Sequence, residues 1–143
     1  MRRGNALIFL GAAFLAALGG WDFAQAADTI PVSAAWECVT PEAAFSPRDT
    51  AEGVVYDGRL WLSNGYFTGN VLSRDLWTSS DGRTWTCVNP ETPYDGYSEI
   101  AVFRDRLWAV KGSVWSSRDG VTWDHVLEQT PFGARGYGEL VVF

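Results

Sequence analysis

The sequence predicts an all-β protein built from repeated four-stranded antiparallel sheets. Three observations support this: many aromatic residues and glycines, little charge, and an internal repeat. The 143 residues include 8 Trp, 5 Tyr, 8 Phe and 15 Gly, and charged residues make up 20%. Aromatic side chains favour strands and glycines favour tight turns, so the composition is typical of short strands joined by turns rather than of a helical bundle.

The first 26 residues have the layout of a secretory signal peptide. Two arginines follow Met1, an uncharged stretch rich in Ala, Leu and Phe extends to Trp21, and small residues surround Ala26. This order predicts cleavage after Ala26 and a secreted or periplasmic protein. An uncleaved membrane anchor is the alternative, although the stretch is at the lower limit for a bilayer span. Residues 27–35 are predicted to be a linker.

The charge of the chain argues against several classes of partner. The formal net charge is −6 at pH 7, and residues 1–26 carry a net positive charge, so their removal leaves a more acidic domain. An acidic domain repels nucleic-acid phosphates and anionic membrane surfaces. We therefore predict no nucleic-acid partner and, after signal cleavage, no membrane partner.

Residues 36–143 contain the internal repeat. Segments 76–85 and 114–123 both read as an aromatic strand, a Ser-x-Asp-Gly turn and a Thr-Trp pair. Arg-Leu-Trp also occurs twice, and a Glu followed by apolar residues occurs three times. The spacings agree between the copies, apart chiefly from an insertion at residues 64–74.

Each complete unit is predicted to form four strands, a to d. Strand a follows the repeated Glu, strand b holds Arg-Leu-Trp, and strands c and d flank the Asp-Gly turn. Two-residue turns at 57–58 and 104–105 would join a to b as hairpins. Units of about 40–50 residues with four short strands are typical of β-propeller blades. Most of the Trp residues recur at repeated positions, where we expect them to fill the space between stacked blades.

The repeats amount to about two complete blades plus flanking strands. Trp36 begins a lone strand d, and residues 139–143 form a lone strand a. Propellers typically close with about 4–8 blades, so the predicted ring is incomplete. We expect a fragment of a longer propeller that lacks its other blades or, as the alternative, a ring completed by self-association.

The pattern Trp-x-Ser-x-Asp-Gly-x-Thr-Trp resembles the kelch-type repeats of secreted bacterial propellers related to the central domain of galactose oxidase. The resemblance covers residues 36–143. Residues 79–85 also resemble the Asp-box of sialidases, without the residue that separates Asp from Gly in that motif. In both families this turn is structural. Kelch blades usually carry Gly-Gly after strand b, where this chain has Asn64-Gly65 and Lys111-Gly112.

The residues offer little material for a cofactor or a catalytic centre. Galactose oxidase holds copper with Tyr and His, whereas this chain has one histidine, His125, at a strand d position. Cys38 and Cys87 occupy the position of His125 in the other units. This equivalence favours a packing role for His125 over a role as a catalytic base. We identify no metal site, no cofactor and no catalytic residue.

Cys38 and Cys87 are also predicted to remain unbonded. An even number of cysteines in an exported protein suggests a disulfide. Equivalent outer-strand positions in adjacent blades, however, usually lie beyond the roughly 7 Å between Cα atoms that a disulfide can bridge.

The candidate ligand-binding residues lie at the start of strand a. In a propeller this strand lines the central channel, so repeated side chains there are expected to converge on one face. Convergent carboxylates could bind a cation or sugar hydroxyls or act as acid and base, whereas Glu–Arg pairing would be purely structural. The candidates are Arg48, Glu52, Tyr97, Glu99, Arg135, Tyr137 and Glu139.

A second candidate site is the insertion between strands b and c, where Tyr66 and Phe67 could grip a glycan or a protein. Two classes of function follow from these sites. The first is a binding or scaffold module for a glycan or protein ligand. The alternative is a sialidase- or glycosidase-type enzyme that lacks its catalytic blades. The binding module is favoured because no complete catalytic constellation is present.

Overall fold

The computed structural model describes residues 35–67, 69, 71–135 and 138–143. Within these residues the chain is all-β, with ten strands and no helix, and therefore no helix that could cross a membrane. The predicted signal peptide, and the linker up to residue 34, lie outside the described residues. The compact part of the chain spans Glu37–Phe143.

The first sheet, blade 1, and a small inserted hairpin come first in the chain. Their strands are β1 (Glu52–Tyr56), β2 (Arg59–Ser63), β3 (Tyr66–Phe67), β4 (Val71–Leu72), β5 (Leu76–Ser79) and β6 (Thr86–Asn89). The strands of the second sheet, blade 2, are β7 (Glu99–Val102), β8 (Leu107–Val110), β9 (Val114–Ser117) and β10 (Asp124–Leu127).

Both blades are antiparallel four-stranded meanders. Blade 1 has the order β1-β2-β5-β6 and blade 2 the order β7-β8-β9-β10, while β3 and β4 pair only with each other. The register is the same in both, since Trp61 lies opposite Val54 and Trp108 opposite Ala101. The prediction of two blades with strands a to d is confirmed, and no closed ring forms within the described residues.

The predicted hairpin turns between strands a and b have a left-handed backbone geometry. The φ angles are 49° at Asp57 and 68° at Gly58, and 48° at Arg104 and 54° at Asp105. Positive φ at both central residues is the type I′ geometry that matches the twist of paired strands. The second turn therefore places two non-glycine residues in a conformation that costs about 1–2 kcal/mol each.

The Asp-Gly turns are held by their own side chains. In blade 1 the Ser79 hydroxyl accepts from the Gly82 amide at 2.9 Å, and Asp81 Oδ1 accepts from the Arg83 and Thr84 amides at 2.8 Å each. The Thr84 and Arg83 amides hold the pKa of Asp81 at about 2. Blade 2 repeats these bonds at Ser117 and Asp119, so the turn is structural in both copies.

The hydrophobic core lies between the two blades, whose sheets pack face to face. Its buried members are Trp61, Leu76, Tyr94, Ile100, Leu107 and Ala109. Half-buried residues from both blades, including Tyr56 and Trp123, surround them. The expected packing of Trp between blades holds for Trp61, Trp115 and Trp123. Trp77 and Trp85 contact Phe45 of the segment before β1 instead, and the Trp36 side chain is 97% exposed.

The two flanking segments differ from the prediction, since neither forms a strand. Residues 37–47 and 139–143 make no ladder with a neighbouring strand in the described part of the chain. A lone strand a or strand d would need strands b and c of its own blade as partners. Residues 37–48 instead pack against blade 1, and we call them the cap segment.

Candidate functional site

Three repeated glutamates come together at one end of the two blades. Strands β1 and β7, together with residues 138–140 and Val142, line a cavity of about 570 Å³. The carboxyl groups of Glu52 and Glu99 are hydrogen-bonded to each other, and Glu139 lies close enough to raise the pKa of both. A second pocket, of about 240 Å³, shares the three glutamates and adds Thr50 and Tyr97. The convergence expected of strand a is therefore present.

The Glu52 carboxyl has a raised pKa because it is partly buried beside Glu99. Burial and then the charge of Glu99 raise the pKa of Glu52 to about 7. Burial also raises the pKa of Glu99, while hydrogen bonds from Glu52 and from the Gly138 amide act in the opposite direction. Ionising both of two carboxyls in contact is unfavourable because the like charges repel, so the two groups titrate as a pair. One carboxyl can then donate a hydrogen bond while the other accepts.

Arg48 does not join the glutamates. It forms an ion pair with Asp75, with 3.0 Å between Nη2 and Oδ2, and it donates to the Asn64 carbonyl at 3.1 Å. Burial alone would raise the pKa of Asp75, but the bonds from Arg48 and Trp77 hold it below its usual value. The structure therefore does not bring Arg48 to the glutamates, and its buried side chain instead links the chain before β1 to the start of β5.

Gly65 is required by this ion pair. Its φ is 123°, and a Cβ atom there would lie 2.6 Å from Cδ of Arg48. The glycine that follows Asn64 after strand β2 therefore makes room for the Arg48 side chain.

The remaining candidates from strand a are only partly in the site. Arg135 is exposed, donates to the Phe132 carbonyl at 3.2 Å and lines neither glutamate pocket, so the structure does not bring it to the glutamates. It sits on the exposed loop after Phe132, which folds back on itself. Tyr137 lies outside the described residues. Tyr97 lines the smaller pocket, and the Lys111 ammonium lies 5.7 Å from its ring centroid.

Lys111 is a residue that sequence reasoning did not select. Its ammonium also donates to the Gly96 carbonyl at 3.0 Å, which holds it beside Tyr97. Lys111 directly follows β8, at the same end of the blade as the start of β7, and this position could have identified it as a neighbour of Tyr97.

The inserted loop is a hairpin rather than an open binding loop. Tyr66 lies in β3 and exchanges two backbone hydrogen bonds with Asp49, at 3.0 and 3.1 Å. Leu72 of β4 packs close to Gly96, where an added Cβ would lie 3.0 Å from the Leu72 Cβ. Neither Tyr66 nor Phe67 lines the glutamate pockets, so the structure separates the second candidate site from the first.

The histidine stacks on an aromatic ring, and the two cysteines are not bonded to each other. The His125 ring stacks on Trp115 with centroids 4.0 Å apart, and its Nδ1 lies 3.4 Å from a Glu128 oxygen. Cys38 and Cys87 are free thiols. In the part of the chain that the structure describes, no group of three His, Cys, Asp or Glu residues is placed to hold a metal ion.

Comparison with known protein families and with curated proteins finds no match for this chain. The kelch-type and Asp-box resemblances therefore stay predictions from the repeat motif. The four-stranded blades and the glutamate cavity rest on the structure itself.

Proposed function

We propose that this chain is an exported, kelch-like binding module that holds a glycan or protein ligand at the glutamate end of its blades. One observation carries the proposal: Glu52, Glu99 and Glu139, which come from three successive repeats, meet in one cavity. Clefts lined by convergent polar groups are the usual places for ligands.

The chemistry of the cavity favours a ligand rich in hydroxyl groups. A hydroxyl both donates and accepts, and the hydrogen-bonded Glu52–Glu99 pair offers a donor and an acceptor side by side. Glu139 adds a further acceptor, and Tyr97 supplies an aromatic surface at the smaller pocket. A basic segment of a protein would use the same carboxylates when they are ionised.

The alternative function is glycoside hydrolysis by a longer sialidase- or glycosidase-type propeller. It is favoured by one feature: a carboxyl with a pKa of about 7 beside a second carboxyl has the properties of an acid/base pair. The Asp-box-like turns do not add to it, because backbone amides occupy the Asp81 and Asp119 carboxylates.

A glycan array combined with a fluorogenic glycoside assay separates these functions. The wild-type chain is compared with Glu52→Gln and Glu99→Gln, and Glu42→Gln serves as a control at an exposed glutamate outside the cavity. Binding without turnover that is lost in the first two variants supports the binding module. Turnover would instead support the enzyme, and equal binding by all four proteins would remove the glutamate site from consideration.

Export is tested separately. If residues 1–26 are a signal peptide, the protein recovered outside the cytoplasm begins at Ala27, and its intact mass shows this directly. Recovery of the full-length chain from a membrane fraction would favour the uncleaved anchor instead.

A further inference from the structure

The face that blade 1 turns toward blade 2 has an exposed counterpart on blade 2. We call this side of each blade the forward face. Tyr94 of blade 1 is 1% exposed, whereas Phe132, at the equivalent position after β10, is 51% exposed. Phe103 and Val126 are likewise exposed, although their equivalents Tyr56 and Val88 pack against the core. The forward face of blade 2 therefore presents apolar surface without a partner blade among the described residues.

The apolar surface continues into residues 140–143. These residues and the inner part of the forward face of blade 2 enclose a groove of about 320 Å³ lined by Phe103, Trp108 and Val110. Contiguous exposed apolar surface of this kind marks interaction sites.

Blade 1 exposes the complementary surface, which we call the rear face. In blade 2 the rear face packs on blade 1, and Leu107 there is 0% exposed. Its equivalent in blade 1, Leu60, is 39% exposed, and the neighbouring Val55 is 65% exposed. The two uncovered faces are thus equivalent to the two surfaces that pack against each other between blade 1 and blade 2.

The cap segment covers only the outer part of the rear face of blade 1, and it does so by imitating a preceding blade. Phe45 meets Trp85 edge to face at 5.3 Å, just as Tyr94 meets Trp123 at 4.7 Å. The Thr40 hydroxyl donates to the Gly82 carbonyl at 2.9 Å.

Blade 1 makes the matching contacts on blade 2. The Asn89 amide reaches the Gly120 carbonyl at 3.5 Å, the bond that corresponds to Thr40 and Gly82. The sequence shows the same relation, because Cys-Val-x-Pro-Glu occurs at residues 38–42 and again at residues 87–91.

We propose that the chain associates head to tail with a second copy of itself. The forward face of blade 2 in one copy packs on the rear face of blade 1 in the next, covers Val55 and Leu60, and displaces the outer part of the cap segment. The argument is continuity, since the new interface repeats the contact between blades 1 and 2. A head-to-tail contact closes into a ring or propagates, depending on its rotation.

The cap segment and the second copy compete for one surface. After displacement, Leu127 and Phe132 of the incoming copy take the places of Thr40 and Phe45. Leucine cannot donate the hydrogen bond that Thr40 gives to Gly82, so the cap holds an advantage at low protein concentration. Association is therefore concentration-dependent, and weakening the cap promotes it.

Complementary variants test the proposal by sedimentation velocity and light scattering. Val55→Asp damages the rear face of blade 1 and Phe132→Asp the forward face of blade 2, both at exposed positions. Each variant alone is expected to associate at least about tenfold more weakly than wild type. Val71→Asp, at an exposed position in the β3–β4 hairpin, is the control and associates as wild type does.

The mixture of the two variants is decisive. Each retains the face that the other lacks, so an equimolar mixture forms a heterodimer with one intact interface. If Val55→Asp still self-associates while Phe132→Asp does not, two forward faces pair with each other and the head-to-tail arrangement is wrong. A mixture that stays monomeric overturns it as well.

A cap variant provides an independent check. Phe45→Ala is expected to lower the apparent dissociation constant severalfold, because it removes the contact with Trp85. If this variant does not fold, a synthetic peptide of residues 37–48 added to wild type replaces it and is expected to dissociate the oligomer. Wild type that remains monomeric up to millimolar concentration, with no response to the cap change or the peptide, contradicts the proposal.

Discussion

Blade 1 and blade 2 share strands, turns and hydrogen bonds but differ in what covers them. The indole of Trp61 donates to the Tyr56 carbonyl at 3.0 Å, and that of Trp108 donates to the Phe103 carbonyl at 2.9 Å. Blade 1 nevertheless has a partner on its forward face, whereas blade 2 has none in the described residues. The local structure of a blade is therefore the same whether or not a second blade covers its forward face.

The side chains of the two forward faces also differ in polarity. In blade 1, Tyr56 and Asn89 donate to carbonyls of blade 2, and Ser63 is hydrogen-bonded to Tyr94 at 2.8 Å. Their equivalents in blade 2 lack side-chain hydrogen-bonding groups and are Phe103, Leu127, Val110 and Phe132. Exposed apolar side chains of this kind suit contact with a partner surface rather than with water.

The largest difference between the blades is expected at their equivalent aromatic residues. Tyr94→Ala should lower the free energy of unfolding by about 3–5 kcal/mol, because it empties a buried site between the sheets. Phe132→Ala should change it by about 0.5 kcal/mol or less, because that ring is exposed. Urea denaturation of the monomer measures both, with Tyr94→Phe as the control that keeps the ring. Equal effects would show that the two blades are equally covered.

A smaller contrast is expected at the turn glycines. Both have left-handed backbones, with φ of 71° at Gly82 and 75° at Gly120. A Cβ at Gly120 would lie 2.6 Å from Trp61 Cζ3 and 2.9 Å from Leu76 Cδ2, whereas at Gly82 the nearest atom is Leu60 Cδ1 at 3.5 Å.

Gly120→Ala therefore combines backbone strain with overpacking and should cost roughly 2–4 kcal/mol. Gly82→Ala should cost about 1–2 kcal/mol from the backbone alone. Thermal unfolding of the two variants compares them. Equal losses of stability in the two variants would mean that the Gly120 turn does not pack tightly against blade 1.

The carboxyl pair that joins the blades should make stability depend on pH. The pKa of Glu52 is about 7 in the folded protein and about 4.5 in the unfolded chain, so folding favours the protonated form. Its contribution is complete below pH 4.5 and is lost as the pH rises through 7. Because the pair is half-exposed, the loss is on the order of 1 kcal/mol.

Denaturation at pH 5, 6, 7 and 8 measures this loss, and Glu52→Gln should flatten the curve. The turn aspartates act in a different range: the lowered pKa values of Asp81 and Asp119 contribute stability that is lost only as the pH falls through those values. A wild-type curve that is flat between pH 5 and 8 would contradict the raised pKa of Glu52.

The smallest expected effect concerns the position that varies from unit to unit as Cys38, Cys87 and His125. Since both thiols are free, intact mass should be the same with and without reductant. A gain of about two daltons on reduction would reveal a disulfide and would bring the cap segment and blade 1 into a different arrangement.

Much of the architecture was predictable because it depends on nearby residues. The spacing from Glu99 to Trp108 placed strands β7 and β8, and Asp57-Gly58 identified a hairpin turn that the structure contains. The convergence of Glu52 and Glu99 also followed from the repeat, because equivalent positions in stacked blades lie at the same end.

The cap segment and the fate of Arg48 were not predictable in this way. The sequence predicted a lone strand d at this position, but only the structure showed that Thr40 contacts the turn of blade 1 as Asn89 contacts the turn of blade 2. The ion pair of Arg48 with Asp75 joins residues distant in sequence, and the repeat pattern does not indicate that these two residues pair.

Strands, turns and repeated hydrogen bonds followed from residue pattern, since backbone φ, side-chain alternation and short-range bonds are local properties. Tertiary structure decided burial and charge pairing. Tyr94 and Phe132 occupy the same position, yet one is buried and the other exposed, because burial depends on whether a second sheet covers the site. Likewise, the pKa of Glu52 rises to about 7 only because a carboxyl from the neighbouring blade lies against it in a partly dehydrated cavity.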